Sequence, residues 1–297
     1  MTNVLVFEDG ELIENLKSEY LWCGMYSVAK NQGSIVKFTQ SCLPKNSVCV
    51  IPQSDGNILI TTVESNTNCN TIEYCWEYAK RNNKLFILGT LAQVEVTPNI
   101  NYLYLPLDDT FFQYGISNTF DKDNLIPWES RSSMLCWRGS CSGSGIREKF
   151  VKMIYDYNKN TEVRFSRQWF EGKNIPNEHF ANAHTDRVNC MEFTKFKIFF
   201  IVDGNVISSS HMYAFAIGCV PMLISNGTCW FSDKIIPYIH YVPVNYDLSN
   251  LIEQIEWVQN NDNKAKEIAN NALHFAHTYF SSESQHQYIK DSIEKLK

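Results

Sequence analysis

The chain has 297 residues, 44% of them hydrophobic, with 26 Lys plus Arg against 32 Asp plus Glu and a formal net charge of −6. That length suits two domains of ordinary size, and the composition is that of a globular protein. The acidic balance argues against a non-specific nucleic-acid binder, and no apolar run approaches the roughly 20 residues of a membrane span.

The first residues, MTNVLVFEDGELIENLK, carry no basic start, and acids interrupt the apolar run. A secretory leader is therefore not expected, and a reducing, cytoplasmic setting is. Residues 3–8 (NVLVFE), 47–52 (SVCVIP), 57–63 (NILITTV) and 84–90 (KLFILGT) read as short β-branched strands bounded by turn residues. Between the last two, residues 69–83 place Ile72, Cys75, Trp76 and Ala79 on one helical face. Strand, helix, strand in this rhythm predicts an α/β domain with a mostly parallel sheet. Residues 99–128 lose any clear period and read as a linker with a loop facing the site.

Alternation resumes at residues 132–140 (SSMLCWRGS), a strand that runs through CSGSG into a helix at residues 146–159. Residues 163–166, 196–202 (FKIFFIV), 220–225 and 240–244 are further strands, and residues 209–218 form a helix ending at Gly218, a C′ glycine. Residues 247–261 form a helix capped by Asp247 or Ser249, and the helix at 264–280 carries a stripe of Ala265, Ile268, Ala269, Ala272, Ala276 and Tyr279.

In such folds ligands sit beyond the carboxyl ends of the strands, so the turns after strands are where chemistry belongs. Two qualify. In WRGSCSGSGIREKF, small residues let the backbone approach a ligand, and Arg138 and Arg147 flank the turn. Its glycine spacing matches neither the dinucleotide fingerprint nor the Walker loop, so it is a generic anion cradle and speaks against a nicotinamide enzyme. In VDGNVISSSHMYAF, Ser208 or Ser209 caps the following helix and the remaining hydroxyls are available to phosphate or sugar. His211 stands beside that loop as a possible partner. Asp108 and Asp109 are candidates for a general base. Asp121-Lys122-Asp123 has the form of a metal-holding Asp-x-Asp, but it follows no convincing strand. His274 and His277 share a helical face without a third ligand. The 10 cysteines show no Cys-x-x-Cys pair, so no metal site is expected and the thiols read as reduced.

The run from Lys195 and Lys197 through the serine loop, with the Pro-x-x-His-Tyr-x-Pro-Val segment before Asp-Leu-Ser from Pro237 to Ser249, resembles glycosyltransferase family 90. The segment Arg138, Gly139, Ser140 with Arg147 is similar to that family's Arg-Gly-Ser segment. The resemblance covers residues 127–280. It implies a GT-B-like α/β fold of two Rossmann-like domains facing a cleft. Residues 1–126 would form an acceptor-binding domain, 127–280 the nucleotide-sugar-binding domain and 281–297 a helical tail.

The resemblance also implies an inverting transferase with a UDP-sugar donor, glucose or xylose, and a protein or glycan acceptor hydroxyl, with no metal or other cofactor. Arg138, Ser140, Arg147, Lys197 and the loop Asp203, Gly204, Val206, Ile207, Ser208, Ser209, Ser210 and His211 would bind the donor. Where eukaryotic members carry an Arg after the loop serine, this chain has Ser210. The family's Asp-Tyr-Pro-like motif is not found, so Asp108 or Asp109, or Glu95 further out, would take the base's place. These departures keep a second reading open, a nucleotide-sugar- or glycan-binding protein without catalysis. The absence of a leader leans toward bacterial-type or virus-encoded glycan assembly.

Overall fold

The computed structural model describes residues 2–18, 34–52, 75–90, 100–107, 109–141, 145–166, 175–180, 189–204, 207–208 and 210–297. The strand expected at residues 57–63 lies outside them. The chain divides into two compact units, one of residues 1–115, 227–230 and 282–297, the other of residues 116–226 and 231–281. Both are α/β.

The first unit holds strands β1 (Thr2–Glu8), β2 (Glu11–Ser18), β3 (Ser47–Pro52), β4 (Leu85–Thr90) and β5 (Asn101–Tyr104) in one sheet of order β2-β1-β3-β4-β5. β3, β4 and β5 are parallel, whereas β1 runs antiparallel to both β2 and β3. This sheet is parallel-rich but mixed, β1 alone running against the other strands, and Asp9 and Gly10 close the tight β1–β2 hairpin. Both take positive φ, 55° and 87°, which the two central positions of such a turn require. Alternate residues serve opposite faces. Leu5, Phe7, Cys49, Ile51 and Ile87 pack with Ile35 and Val36 of α1 (Ser34–Cys42), Phe112 of α3 (Asp109–Tyr114) and Ile289 and Ile293 of α8 (Ser282–Glu294). Val6, Val48, Val50, Phe86 and Leu88 pack with Cys75 and Ala79 of the helical residues 75–81, α2. Burial on both faces is why these strands read as unbroken apolar runs. The described residues between 100 and 130 carry more regular structure than a linker, with β5, α3 and 3-10 turns at Ile116–Asn118, Lys122–Asn124 and Trp128–Ser130. These elements are too short for periodicity to reveal.

The second unit is a parallel sheet of β6 (Ser132–Gly139), β7 (Glu162–Phe165), β8 (Phe196–Val202), β9 (Val220–Ile224) and β10 (Val242–Pro243), in order β10-β9-β8-β6-β7. Its helices are α4 (Ile146–Tyr157), α5 (Ser210–Ala216), α6 (Leu251–Asn260) and α7 (Asp262–Tyr279). The chain starts at β6, goes outward to β7, then crosses back to β8 and on to β9 and β10. The order therefore reverses between β6 and β8, which makes their carboxyl ends the switch point. One face packs Trp137, Phe150, Phe165 and Phe200 with the α6 and α7 residues Ile255, Ala265 and Ala269. The α7 stripe is buried from Ala265 to Ala276, but Tyr279 is exposed.

Arg131, 7% exposed, enters just ahead of β6. Its Nε donates to the Ile126 carbonyl at 2.8 Å and a terminal nitrogen to the Ile217 carbonyl at 2.9 Å, past the end of α5. Gly218 follows at φ 70°, and a Cβ there would stand 2.7 Å from the guanidinium. The helix expected to be capped by Asp247 or Ser249 starts later, at Leu251. Asp247 instead accepts from the Ser249 N–H at 2.9 Å, which spends its carboxylate on a turn ahead of α6.

Candidate functional site

The loops leaving β6 and β8 are adjacent in the second unit, and Arg147 in the first turn of α4 ties them together. Its Nε donates to the Val202 and Asp203 carbonyls at 3.2 and 3.1 Å, and its other nitrogens reach Val202 O at 2.9 Å, Ser140 O at 3.2 Å and Ser140 Oγ at 3.3 Å. The guanidinium lies 5.7 Å from the centre of the Trp137 ring. Burial pulls its pKa down, and the Asp203 carboxylate acts in the opposite sense. Gly139 is required here because the Trp137 ring passes where a Cβ would sit, at 2.3 Å.

The loop after β8 folds around Ser208. Asp203, 3% exposed, accepts from the Ser208 N–H at 3.2 Å through Oδ1. Ser208 Oγ accepts from the Ser210 N–H at 3.3 Å and lies 2.8 Å from Ser210 Oγ, which satisfies the first amide of α5. The Ser208 carbonyl takes both the His211 N–H, at 3.0 Å, and His211 Nδ1, at 2.8 Å. A carbonyl only accepts, so Nδ1 carries the proton, and a neutral ring presents a bare Nε2 to Asp203 Oδ1, 3.8 Å away. Burial lowers the His211 pKa, against the opposing pull of Asp203.

The structure thus brings Ser140, Arg147, Asp203, Gly204, Ile207, Ser208, Ser210 and His211 together at the switch point. Val206, Ser209 and Asp108 lie outside the described residues, as does Glu95. Asp109 opens α3 in the first unit. One residue is not brought to the site. Lys197 stands at the opposite, amino end of β8, where it pairs with Asp262 at 2.7 Å and lies 5.0 Å from the Trp128 ring centre. Arg138 faces Glu162 on β7, at 3.7 Å.

Asp121 accepts from Asp123 N and Asn124 Nδ2, the pattern of a self-capped turn, and His277 is engaged with Ser117 Oγ at 2.8 Å while His274 is exposed. Among the described residues no three His, Cys, Asp or Glu side chains converge on a metal position, and no helix is long and apolar enough to cross a membrane. Cys141 of CWRGSC donates to Glu148 Oε1 at 3.1 Å. Two residues that shape the site were not singled out in the sequence, Trp137 and Glu148. The signal for Trp137 was its spacing, two residues before a glycine on the same strand face.

A parallel sheet flanked by helices, with a hydroxyl-rich pair of loops at its switch point, defines an α/β unit of the kind that takes ligands beyond the carboxyl ends of its strands. The chain matches the model of glycosyl transferase family 90 over residues 116–295 and belongs to that family. It is 31% identical over 212 residues to uncharacterized protein 179R of Invertebrate iridescent virus 6, covering 60% of this chain and 18% of the relative. It is 27% identical over 171 residues to protein O-glucosyltransferase 2 of Danio rerio, covering 57% and 33%. Against human protein O-glucosyltransferase 1 it is 26% identical over 154 residues, covering 50% and 38%. The matches thus span well under half the length of each of these relatives.

Proposed function

We propose that the chain is an inverting, metal-independent glycosyltransferase that moves a sugar, glucose or xylose, from a UDP-sugar to an acceptor hydroxyl on a protein or glycan. The observation that carries this is the position of the Arg147-tied loops at the switch point of a family 90 chain. The donor diphosphate would lie along Ser140 and the loop from Asp203 to Ser210, whose hydroxyls and amides stabilise the charge that develops as it leaves. The acceptor hydroxyl gives its proton to a carboxylate, Asp108 or Asp109, as its oxygen bonds to the anomeric carbon. The bond from that carbon to the diphosphate breaks, and its electron pair leaves with UDP. A GT-B-like arrangement is part of the same proposal and rests on the family resemblance.

A thermal-shift series tests donor binding, since a ligand held by the folded state alone raises its stability. Stabilisation by UDP-glucose or UDP-xylose, and none by GDP- or CMP-sugars, is expected. Turnover should survive EDTA, and the product should show an inverted anomeric configuration by NMR; a retained configuration sinks the mechanism. Asp108→Asn or Asp109→Asn should abolish turnover, and if neither does, the base lies elsewhere. A second reading, nucleotide-sugar binding without catalysis, is favoured by one fact. Arg147 commits donors to Val202, Asp203 and Ser140. Binding of UDP-sugar with no turnover on any acceptor would support it.

A further inference from the structure

The site just described carries a buried pair whose joint charge is not fixed. Asp203 and His211 are each 3% exposed, face one another at 3.8 Å and are both hydrogen-bonded to Ser208. Nδ1 of His211 is already committed as a donor to the Ser208 carbonyl. The neutral ring therefore turns an acceptor toward a carboxylate oxygen that already accepts from the Ser208 amide. Two acceptors so placed gain nothing from each other. One proton on Nε2 converts them into an ion pair inside a poorly screened interior.

The other ionisable groups near this pair are few. Asp203 is the only charged group among the described residues that acts on His211. Arg147 on α4 acts on Asp203's side of the pair, and Cys141, Tyr213 and Tyr246 act in turn on Arg147. The neighbouring α7 and β9 contribute none that acts on the imidazole. The loop positions 142–144, 205, 206 and 209 are Ser, Gly, Ser, Asn, Val and Ser, with no group that titrates near neutrality.

We propose that binding of the nucleotide sugar is proton-linked, His211 taking up a proton on Nε2 as the diphosphate settles on the serine loop. This rests on the nucleotide-sugar reading above. A dianion arriving over Ser208 and Ser210 favours the cationic ring, and the new imidazolium is held by Asp203 from below. A titrating imidazole thereby supplies charge to a loop whose buried guanidinium is tied to backbone carbonyls. By reciprocity, whatever the ligand does to the proton, the proton does to the ligand. Affinity should rise as pH falls, by at most about tenfold per pH unit for one linked proton, and level off below the unliganded ring's titration.

The test is isothermal titration calorimetry of the whole chain with UDP-glucose and UDP-xylose. Both phosphates of these probes are esterified, so the ligand's own charge is constant over the range. Titrations at pH 7 in buffers of different ionisation enthalpy count protons taken up, and a pH series from 6 to 8 reads affinity. Net uptake is expected, with Kd falling about tenfold from pH 8 to pH 6, and both effects should disappear in His211→Gln. Binding without uptake overturns this inference and leaves the nucleotide-sugar reading intact. Uptake that persists in His211→Gln overturns the assignment to the imidazole. If that variant does not fold, Asp203→Asn serves: it keeps an oxygen for the Ser208 amide but removes the counter-charge, so unchanged uptake there also overturns the inference. If neither sugar nucleotide binds, the nucleotide-sugar reading fails and this inference fails with it.

Discussion

Two arginines of the second unit, Arg131 and Arg147, are buried to the same 7% exposure yet do different things. Arg131 lies ahead of the amino end of β6. It donates to the Ile126 and Ile217 carbonyls and toward the Cys219 thiol, none of them charged at neutral pH, and burial pushes that thiol up to about 12. Arg147 lies past the carboxyl end of the same strand, and its surroundings include the Asp203 carboxylate and the Ser140 hydroxyl. Both hold backbone carbonyls in place. Only Arg147 does so where two loops meet with groups that can hold a ligand. A buried arginine is thus first a backbone clamp, and its place along the strand decides whether it is also a site residue.

The comparison can be broken most severely at Gly218. Gly218→Ala adds a Cβ where φ is 70° and the Arg131 guanidinium is 2.7 Å away. It should cost about 2–4 kcal/mol in urea unfolding while leaving donor affinity of the folded protein unchanged. Arg147→Lys loses the planar fork and should cost about 2 kcal/mol, and unlike Gly218→Ala it should also weaken UDP-sugar binding. A variant that lost stability alone would move Arg147 into the company of Arg131. Ser140→Ala removes one acceptor of Arg147 and should cost about 1 kcal/mol or less, with a loss of donor affinity on calorimetry.

Lowering pH probes the same loop. Burial depresses the His211 pKa, so the unfolded chain protonates first as pH falls through about 6.5. Stability from the neutral ring is therefore intact above that value and declines from there toward the folded pKa. His240 and His277 are depressed in the same direction. The melting temperature should accordingly drop between pH 7 and pH 5.5, and less steeply in His211→Gln. Lys197→Met should have the smallest effect, about 0.5 kcal/mol for one ion pair near the surface, and none on donor binding. A clear loss of binding would return Lys197 to the site.

Much of the second unit was legible because its strands and helices are long enough to show their periods. The strand at 196–202 and the turn after it were readable as a buried strand feeding a polar loop. Gly218 was readable as a helix end because only a glycine suits its φ at no cost. Lys197 misled because a motif fixes residue types and not strand direction, and by about 3.3 Å of rise per residue it sits roughly 20 Å from Asp203. The hairpin at Asp9-Gly10 was present in the sequence as the dipeptide that favours such turns. It went unread because the acids around it looked like an interruption of an apolar run. The α6 start was missed because Asp247 had two local uses, cap and turn, that sequence alone does not rank.

The last helix has a consequence for how the protein is made. Ile289 and Ile293 of α8 complete the core that Ile35, Val36 and Phe112 begin. A ribosome working from the amino end therefore releases α1 and α3 long before their covering helix exists. The second unit, apart from the short excursion at residues 227–230, is contiguous in the chain and is finished earlier. During synthesis the first unit's apolar face waits uncovered, the state in which nascent chains are most prone to association and most in need of chaperones.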